Sequence, residues 1–271
     1  MTARTALVTG ASSGIGRAFA RELAAAGWTV TAVARGEDRL RTLVAELGPG
    51  PGPGLGHRHL AADLSTPEGR ELVAAELRRH PVNLLVNSAG TTHHGPFATA
   101  DPREALAATH LGCDAVVTLA HAFLAGARPG DALINVSSTL GSAPAPGLAV
   151  YSAGKAFVTA FSEALWHEQR PLGVRVMALC PGPTGDTTAA AEAAPQTAAE
   201  AAAMPLPAAP PRRHQDAPAA LVQSPRAVAR TALRALERRS RPTVVPGRAN
   251  ALFILAARLL PRRVILALLS R

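Results

Sequence analysis

Short unbroken runs of apolar residues alternate along this chain with longer stretches whose apolar positions recur every three or four residues. The runs are Thr5 to Thr9, Thr29 to Ala34, His59 to Ala62, Asn83 to Asn87, Ala132 to Val136 and Val174 to Leu179. Between them lie helical patterns over Ile15 to Ala26, Asp38 to Leu47, Pro67 to Arg79, Pro102 to Ala125 and Val150 to Gln169. Strands that are apolar throughout must be covered on both faces, and strands joined through helices pair in parallel. The pattern therefore predicts an α/β protein with a single doubly wound Rossmann-type parallel sheet and helices on both faces. Gly27 is a fitting stop for the first helix, and Gly48 to Gly56 (GPGPGPGLG) reads as a surface loop.

The rhythm breaks after Thr188. Residues 189 to 220 are Ala/Pro-rich with few large apolar side chains, which predicts a mobile substrate lid. Ser224 and Pro225 then read as an N-cap and a first-turn proline opening a helix to about Arg239, and Thr243 to Val245 as a last strand. The expected organisation is one domain over 1–250 and a basic amphipathic tail over 251–271.

Composition narrows the reading. A chain of 271 residues can bury a full core. The net charge of +9 is uneven: from Arg212 to Arg271 thirteen arginines face Asp216 and Glu237, giving +11, which leaves −2 for residues 1–211. A uniformly basic nucleic-acid-binding domain is therefore not expected. Cys113 and Cys180 match no metal or redox spacing and suggest a reducing, cytoplasmic setting. Ala6 to Thr9 already reads as a core strand, so no secretory leader is expected.

The chemistry begins with two singletons. Tyr151 and Lys155 are the only tyrosine and the only lysine, four residues apart in YSAGK, while every other basic residue is arginine. Positions i and i+4 share a helix face. An ammonium beside a phenol favours the phenolate and lowers its pKa, which suits a general acid/base. At the first strand–helix turn, Thr9-Gly10-Ala11-Ser12-Ser13-Gly14-Ile15-Gly16 offers three glycines for a tight turn, close approach of a pyrophosphate and close helix packing. The second strand ends Val33-Ala34-Arg35 without the acid that holds a ribose 2′-hydroxyl, so Arg35 favours the 2′-phosphate of NADP(H).

These motifs, with Asn87-Ser88-Ala89-Gly90, Asn135-Val136-Ser137-Ser138 and Pro181-Gly182, resemble in order and spacing those of the short-chain dehydrogenase/reductase family over about residues 4–188. The resemblance implies hydride transfer between NADP(H) and a small-molecule carbonyl or alcohol. Tyr151 would exchange the hydroxyl proton, Lys155 would lower its pKa and bind the nicotinamide ribose, and Ser138 would hold the substrate oxygen. Ser137 competes with Ser138, and the thirteen-residue spacing to Tyr151 favours Ser138. The cofactor groove implied comprises Gly10, Ser12, Ser13, Gly14, Ile15, Gly16, Arg35, Asp63, Leu64, Asn87, Ala89, Gly90, Tyr151, Lys155, Pro181, Gly182 and Thr184, with Pro183 close by. No metal is implied. His110 stands where many members carry an asparagine that supports a proton relay to the lysine, which makes it a candidate relay residue beside a core-histidine reading. A homodimer or homotetramer through the two long helices is implied as well.

Three further features are less committed. His57 with His59 and His93 with His94 lack a third metal ligand and read as loop and edge residues, with His94 near the substrate pocket. The lid's leucines and prolines suit a hydrophobic substrate. The tail from Ala251 to Leu269 is broken by Arg258, Pro261, Arg262 and Arg263, too poorly apolar to span a membrane. Packing on the protein or a second subunit is the favoured reading of it, and peripheral contact with an anionic membrane the other. A redox-neutral epimerase or dehydratase, and a dinucleotide-sensing protein without catalysis, are the alternatives to the oxidoreductase.

Overall fold

The structure, a computed structural model, describes residues 4–52, 54, 56–92, 94–185, 220–238 and 241–269. The predicted lid falls almost wholly outside these residues, as does His93. Seven strands form one parallel sheet in the order β3-β2-β1-β4-β5-β6-β7. They are β1 (Thr5–Thr9), β2 (Thr29–Ala34), β3 (Arg58–Ala61), β4 (Leu84–Asn87), β5 (Ala132–Val136), β6 (Arg175–Leu179) and β7 (Thr243–Val244). The order reverses between β1, which pairs with both β2 and β4, and the strands that follow. Such a switch point opens a crevice at the carboxyl ends of the strands, where ligands of this architecture bind.

The helices divide between the faces as the all-apolar strands require. On one side α1 (Gly14–Ala25), α2 (Glu37–Leu47) and α7 (Pro225–Glu237) bury Phe19, Leu23, Leu40, Leu43, Val228 and Ala232 against Ala6 and Val8. On the other, α3 (Pro67–Arg79), α5 (Ala115–Leu124) and α6 (Ala149–Gln169) bury Val73, Leu77, Leu119 and Phe123, with Phe161 and Leu165 packed around them, against Leu7 and Leu85. The period-two alternation of Ala6, Leu7 and Val8 assigns each strand residue to a face. Caps appear where side chains allow them. Thr66 accepts from the Gly69 N–H at 3.1 Å with Pro67 in the first turn, and Ser224 accepts from Ala227 at 3.2 Å with Pro225.

The long helix expected over 102–125 is interrupted. After α4 (Pro102–Thr109) the chain makes a π-helical turn over His110–Asp114, where the Ala115 N–H reaches back to the His110 carbonyl, before α5 resumes. One helix over Pro102–Leu124 is long and apolar enough by composition to cross a membrane. Its buried residues Val116, Leu119, Ala120 and Phe123 belong to the domain core. The C-terminal residues form α8 (Arg248–Leu259) and α9 (Arg262–Leu269). α8 runs through the expected boundary at residue 250 and buries Asn250 and Ile254, so its first half belongs to the domain.

Candidate active site

The glycine-rich turn is built by exclusion of side chains. Gly10 and Gly14 have φ values of 65° and 49°, a left-handed region that favours glycine. A Cβ on Gly16 would stand 2.3 Å from the Gly10 carbonyl oxygen, and one on Gly10 2.8 Å from the Ala89 Cα. The turn is thus pressed against the start of α1 on one side and the Ser88–Gly90 turn on the other. Ser13, the N-cap of α1, makes no side-chain capping bond. The helix therefore presents first-turn N–H groups without a side-chain acceptor, the arrangement that suits a pyrophosphate. Ser12 and Ser13 are half-buried along the turn, and Ile15 packs into the core beneath it. This cradle, which any Cβ would fill, fits a dinucleotide.

Thr9 joins the two turns. Its hydroxyl accepts from the N–H groups of Ser88 and Ala89, both at 3.0 Å, and lies 3.4 Å from the Val86 carbonyl. Arg35 follows β2 directly and is exposed. The acids nearest in sequence, Glu37 and Asp38, face Arg41 at 2.7 and 3.8 Å. Asp63 is half-buried after β3, with one carboxylate oxygen accepting from the Ser65 N–H and hydroxyl at 2.9 and 2.7 Å. Leu64 beside it is buried.

Asn87 ends β4 beneath the expected groove. It is buried, and its amide donates to the Asn135 side chain at 2.9 Å. Asn135 donates in turn to Ser162 on α6 at 3.0 Å. The chain of bonds runs across β4 and β5 to α6, so Asn87 ties the three elements together. Its Oδ1 has no hydrogen-bond partner among the described residues.

The two adjacent serines are separated by the structure. Ser137 is consumed by packing: its hydroxyl donates to the Lys155 carbonyl at 2.7 Å and lies 2.7 Å from the Thr159 hydroxyl. Ser138 turns the other way. Its hydroxyl accepts from the Leu140 N–H at 3.2 Å, and it lies near enough to the Tyr151 phenol to lower its pKa. Consecutive residues of an extended strand end point to opposite sides, so only one of the pair can reach the tyrosine.

Tyr151 lies in the first turn of α6, and the Lys155 ammonium sits 5.6 Å from its ring centroid. The ammonium donates to the Val136 carbonyl at 2.8 Å, and a Cβ on Gly90 would be 3.6 Å from it. Lys155 therefore stands where β5, α6 and the turn after β4 converge. Burial dominates both titrations. It lowers the Lys155 pKa from 10.5 to about 8. It raises that of Tyr151, against a lowering by the Ser138 hydrogen bond. Removal from water is the largest influence on the phenol and raises it, so the depression expected from the neighbouring ammonium does not set the direction. Cys180 and Cys113 are also raised, both chiefly by burial.

His110 opens the π turn and faces Asp114. Its Nδ1 lies 2.7 Å from an Asp114 oxygen, the ring is nearly half exposed, and Asp114 faces Arg70 of α3 at 4.0 Å. Cys113 of that turn packs beside α6, where its sulfur would lie 3.6 Å from a Cβ on Gly154. The π turn rotates His110 toward α3, and its carbonyl is taken by Ala115. Among the described residues no direct hydrogen bond joins His110 to Ser138, Tyr151 or Lys155.

The turn after β6 closes the site. The Pro181 carbonyl accepts from the Thr139 N–H at 2.9 Å, tying it to the Ser138 loop. Thr184 is buried and bridges to Gln223. A Cβ on Gly182 would stand 2.2 Å from the Asn250 Oδ1, so the glycine is imposed from behind by α8. The Asn250 amide donates to the Leu221 and Pro246 carbonyls at 3.1 and 3.2 Å. Sequence reasoning assigned no role to Asn250, Asn135 or the Thr9 hydroxyl. The latter two stand inside the motifs, whereas nothing local marks Asn250.

Comparisons with known proteins bear on the family and the fold. The family model described as short chain dehydrogenase matches residues 4–198. A putative ketoacyl reductase of Streptomyces coelicolor is 38% identical over 183 residues, covering 65% of this chain and 69% of that protein. A very-long-chain 3-oxoacyl-CoA reductase of Laccaria bicolor is 34% identical over 175 residues, covering 63% and 52%. The chain spans between 52% and 69% of the length of the first curated relatives it matches. Among solved structures, a short-chain dehydrogenase from Sphingobium yanoikuyae in complex with NADPH superposes with a TM-score of 0.75 at 29% identity, covering 92% of this chain and 91% of that one.

Proposed function

The chain belongs to the short-chain dehydrogenase family, and from that premise we propose that it transfers a hydride between NADP(H) and a carbonyl or alcohol on a small, predominantly apolar molecule. The observation that carries the proposal is the convergence of Ser138, Tyr151 and Lys155 beside a glycine cradle that admits no side chain. When bound, the nicotinamide supplies or takes the hydride. The protein's part is to hold the carbonyl oxygen on the Ser138 and Tyr151 hydroxyls and to pass it the phenolic proton as negative charge develops. The Lys155 ammonium then stabilises the phenolate left behind, in a setting where burial strengthens the interaction.

Support for NADP(H) comes from Arg35, exposed just past β2 at a position where an NAD site usually carries an acid. The NADPH complex of the Sphingobium relative agrees with it. Support for a ketone on an apolar body comes from the names of the ketoacyl and 3-oxoacyl-CoA reductases among the relatives. The test is NADPH oxidation over a panel of aldehydes, ketones and 3-ketoacyl thioesters, with NADH in parallel and Tyr151→Phe as control. Turnover abolished by the tyrosine change supports the reading. Binding of NADPH without turnover of any carbonyl would instead favour a dinucleotide-sensing role, and tightly held cofactor with no net absorbance change a redox-neutral one.

A further inference from the structure

Helix α8 has two faces of opposite fate. Asn250 and Ile254 are buried, and through Asn250 the helix is locked to the turn after β6. Turned away from them, Leu252, Leu255 and Leu259 follow the i, i+3, i+7 spacing of one stripe and are 66%, 53% and 76% exposed. Past the bend at Pro261 the exposed apolar surface continues, with Val264 and Leu268 on one face and Leu266 on another. In α9 only Ile265 is buried, while Val264, Leu266 and Leu268 are exposed. Seven aliphatic side chains, counting Leu260, thus face out from two consecutive helices, a concentration that soluble surfaces seldom carry without a partner.

The charges around the stripe select the partner. From Arg238 to the C-terminus the sequence has eight arginines and no aspartate or glutamate. Arg248, Arg258, Arg262 and Arg263 are exposed on the same two helices. A second copy seated on this face through a two-fold axis would set arginine against arginine with no acid in the segment to offset them. Exposed apolar residues at Leu106, Val117 and Phe157 also give a second copy a separate face on α4 to α6, the helices from which oligomers are expected. An anionic lipid surface meets both properties of the tail together: acyl chains for the leucines and phosphates for the arginines.

We propose that α8 and α9 form a membrane-docking face that lies in the headgroup region of anionic bilayers, with the leucine stripe inserted and the arginines on lipid phosphates. The face is preorganised, because Asn250 and Ile254 hold α8 on the domain whether or not lipid is present. Docking brings the turn after β6, one wall of the candidate site, to the lipid surface.

The test is vesicle flotation of the full chain at physiological salt, with phosphatidylglycerol/phosphatidylcholine vesicles against phosphatidylcholine alone. The wild type is expected to float with the anionic vesicles only. The variant Leu252→Ser/Leu255→Ser/Leu259→Ser keeps every charge and is expected to lose about 100-fold or more in partitioning. The variant Arg258→Gln/Arg262→Gln/Arg263→Gln keeps every leucine and is expected to lose about tenfold or more. Thermal melts and sedimentation of each variant without vesicles complete the experiment. The proposal is overturned if the wild type does not float, or if the leucine variant floats as well as wild type, which would leave only general attraction of a basic protein. It is equally overturned if the leucine variant drops in oligomeric state, which assigns the stripe to a second copy, or melts well below wild type, which assigns it to the chain's own core. None of these readouts depends on NADPH turnover, so failure here leaves the proposed reaction standing.

Discussion

The contact between Gly182 and Asn250 can be tested as a pair. A methyl on Gly182 would sit 2.2 Å from the Asn250 Oδ1 and 2.6 Å from its Cγ, so the two must separate by about 1 Å to reach an ordinary contact. Asn250 is 2% exposed and its amide is held by the Leu221 and Pro246 carbonyls. It cannot swing away without breaking those bonds. Overpacking of this kind costs about 1–3 kcal/mol, so Gly182→Ala is expected to lower the urea midpoint with little change in slope. Asn250→Ala opens space but removes the donor to the part-buried Leu221 and buried Pro246 carbonyls, a cost of about 1–2 kcal/mol. In the double variant the alanine methyl enters the space the amide vacated. The summed cost should then fall short of additivity by at least about 1 kcal/mol. The assay is equilibrium urea unfolding of the four proteins, with the KM for NADPH measured alongside because Gly182 borders the candidate cofactor groove. Additivity within about 0.5 kcal/mol would refute the claim that Asn250 imposes the glycine.

Three other outcomes follow from the site. Ser138→Ala should cut carbonyl reduction by about 100-fold with stability little changed, whereas Ser137→Ala should lower the melting temperature because it unties the Lys155 carbonyl and Thr159; the reverse pattern would exchange their roles. Burial lowers the Lys155 pKa to about 8 while holding the Tyr151 phenol above its ordinary range. The tyrosine therefore stays protonated as the lysine loses its charge, and kcat/KM for reduction should be level below about pH 8 and fall above it; a profile flat to pH 9.5 would contradict the lysine's role. Arg35→Glu should raise the KM for NADPH by about tenfold or more and leave that for NADH less affected, since it replaces a phosphate partner with a repelling charge; an unchanged cofactor ratio would remove Arg35 from the phosphate site.

Much of this protein was legible one residue at a time. Continuous apolar runs such as Leu84 to Asn87 can only be strands covered on both faces, and the helical spacing between them forces a parallel sheet. Glycines at 10, 14 and 16 and the Tyr151/Lys155 interval carry their chemistry in local geometry, a φ value or one helix turn, which sequence spacing encodes directly. Three things were decided only by tertiary structure. Spacing favoured Ser138, but what holds Ser137, the Lys155 carbonyl and the Thr159 hydroxyl, depends on how the end of β5 packs on α6. The π turn over His110–Asp114 interrupts the helix that the spacing predicts over 102–125 and sets Asp114 between His110 and Arg70 of α3. Asn250 lies sixty-eight positions beyond Gly182, so its hold on that glycine exists only once α8 folds back on the turn after β6. Burial likewise has no sequence signature of its own, and it is burial that sets the lysine near 8 and the tyrosine high. Local periodicity and backbone allowance wrote the scaffold into the chain, whereas desolvation and long-range packing, which arise from residues distant in sequence, set how its site titrates and which side chains reach it.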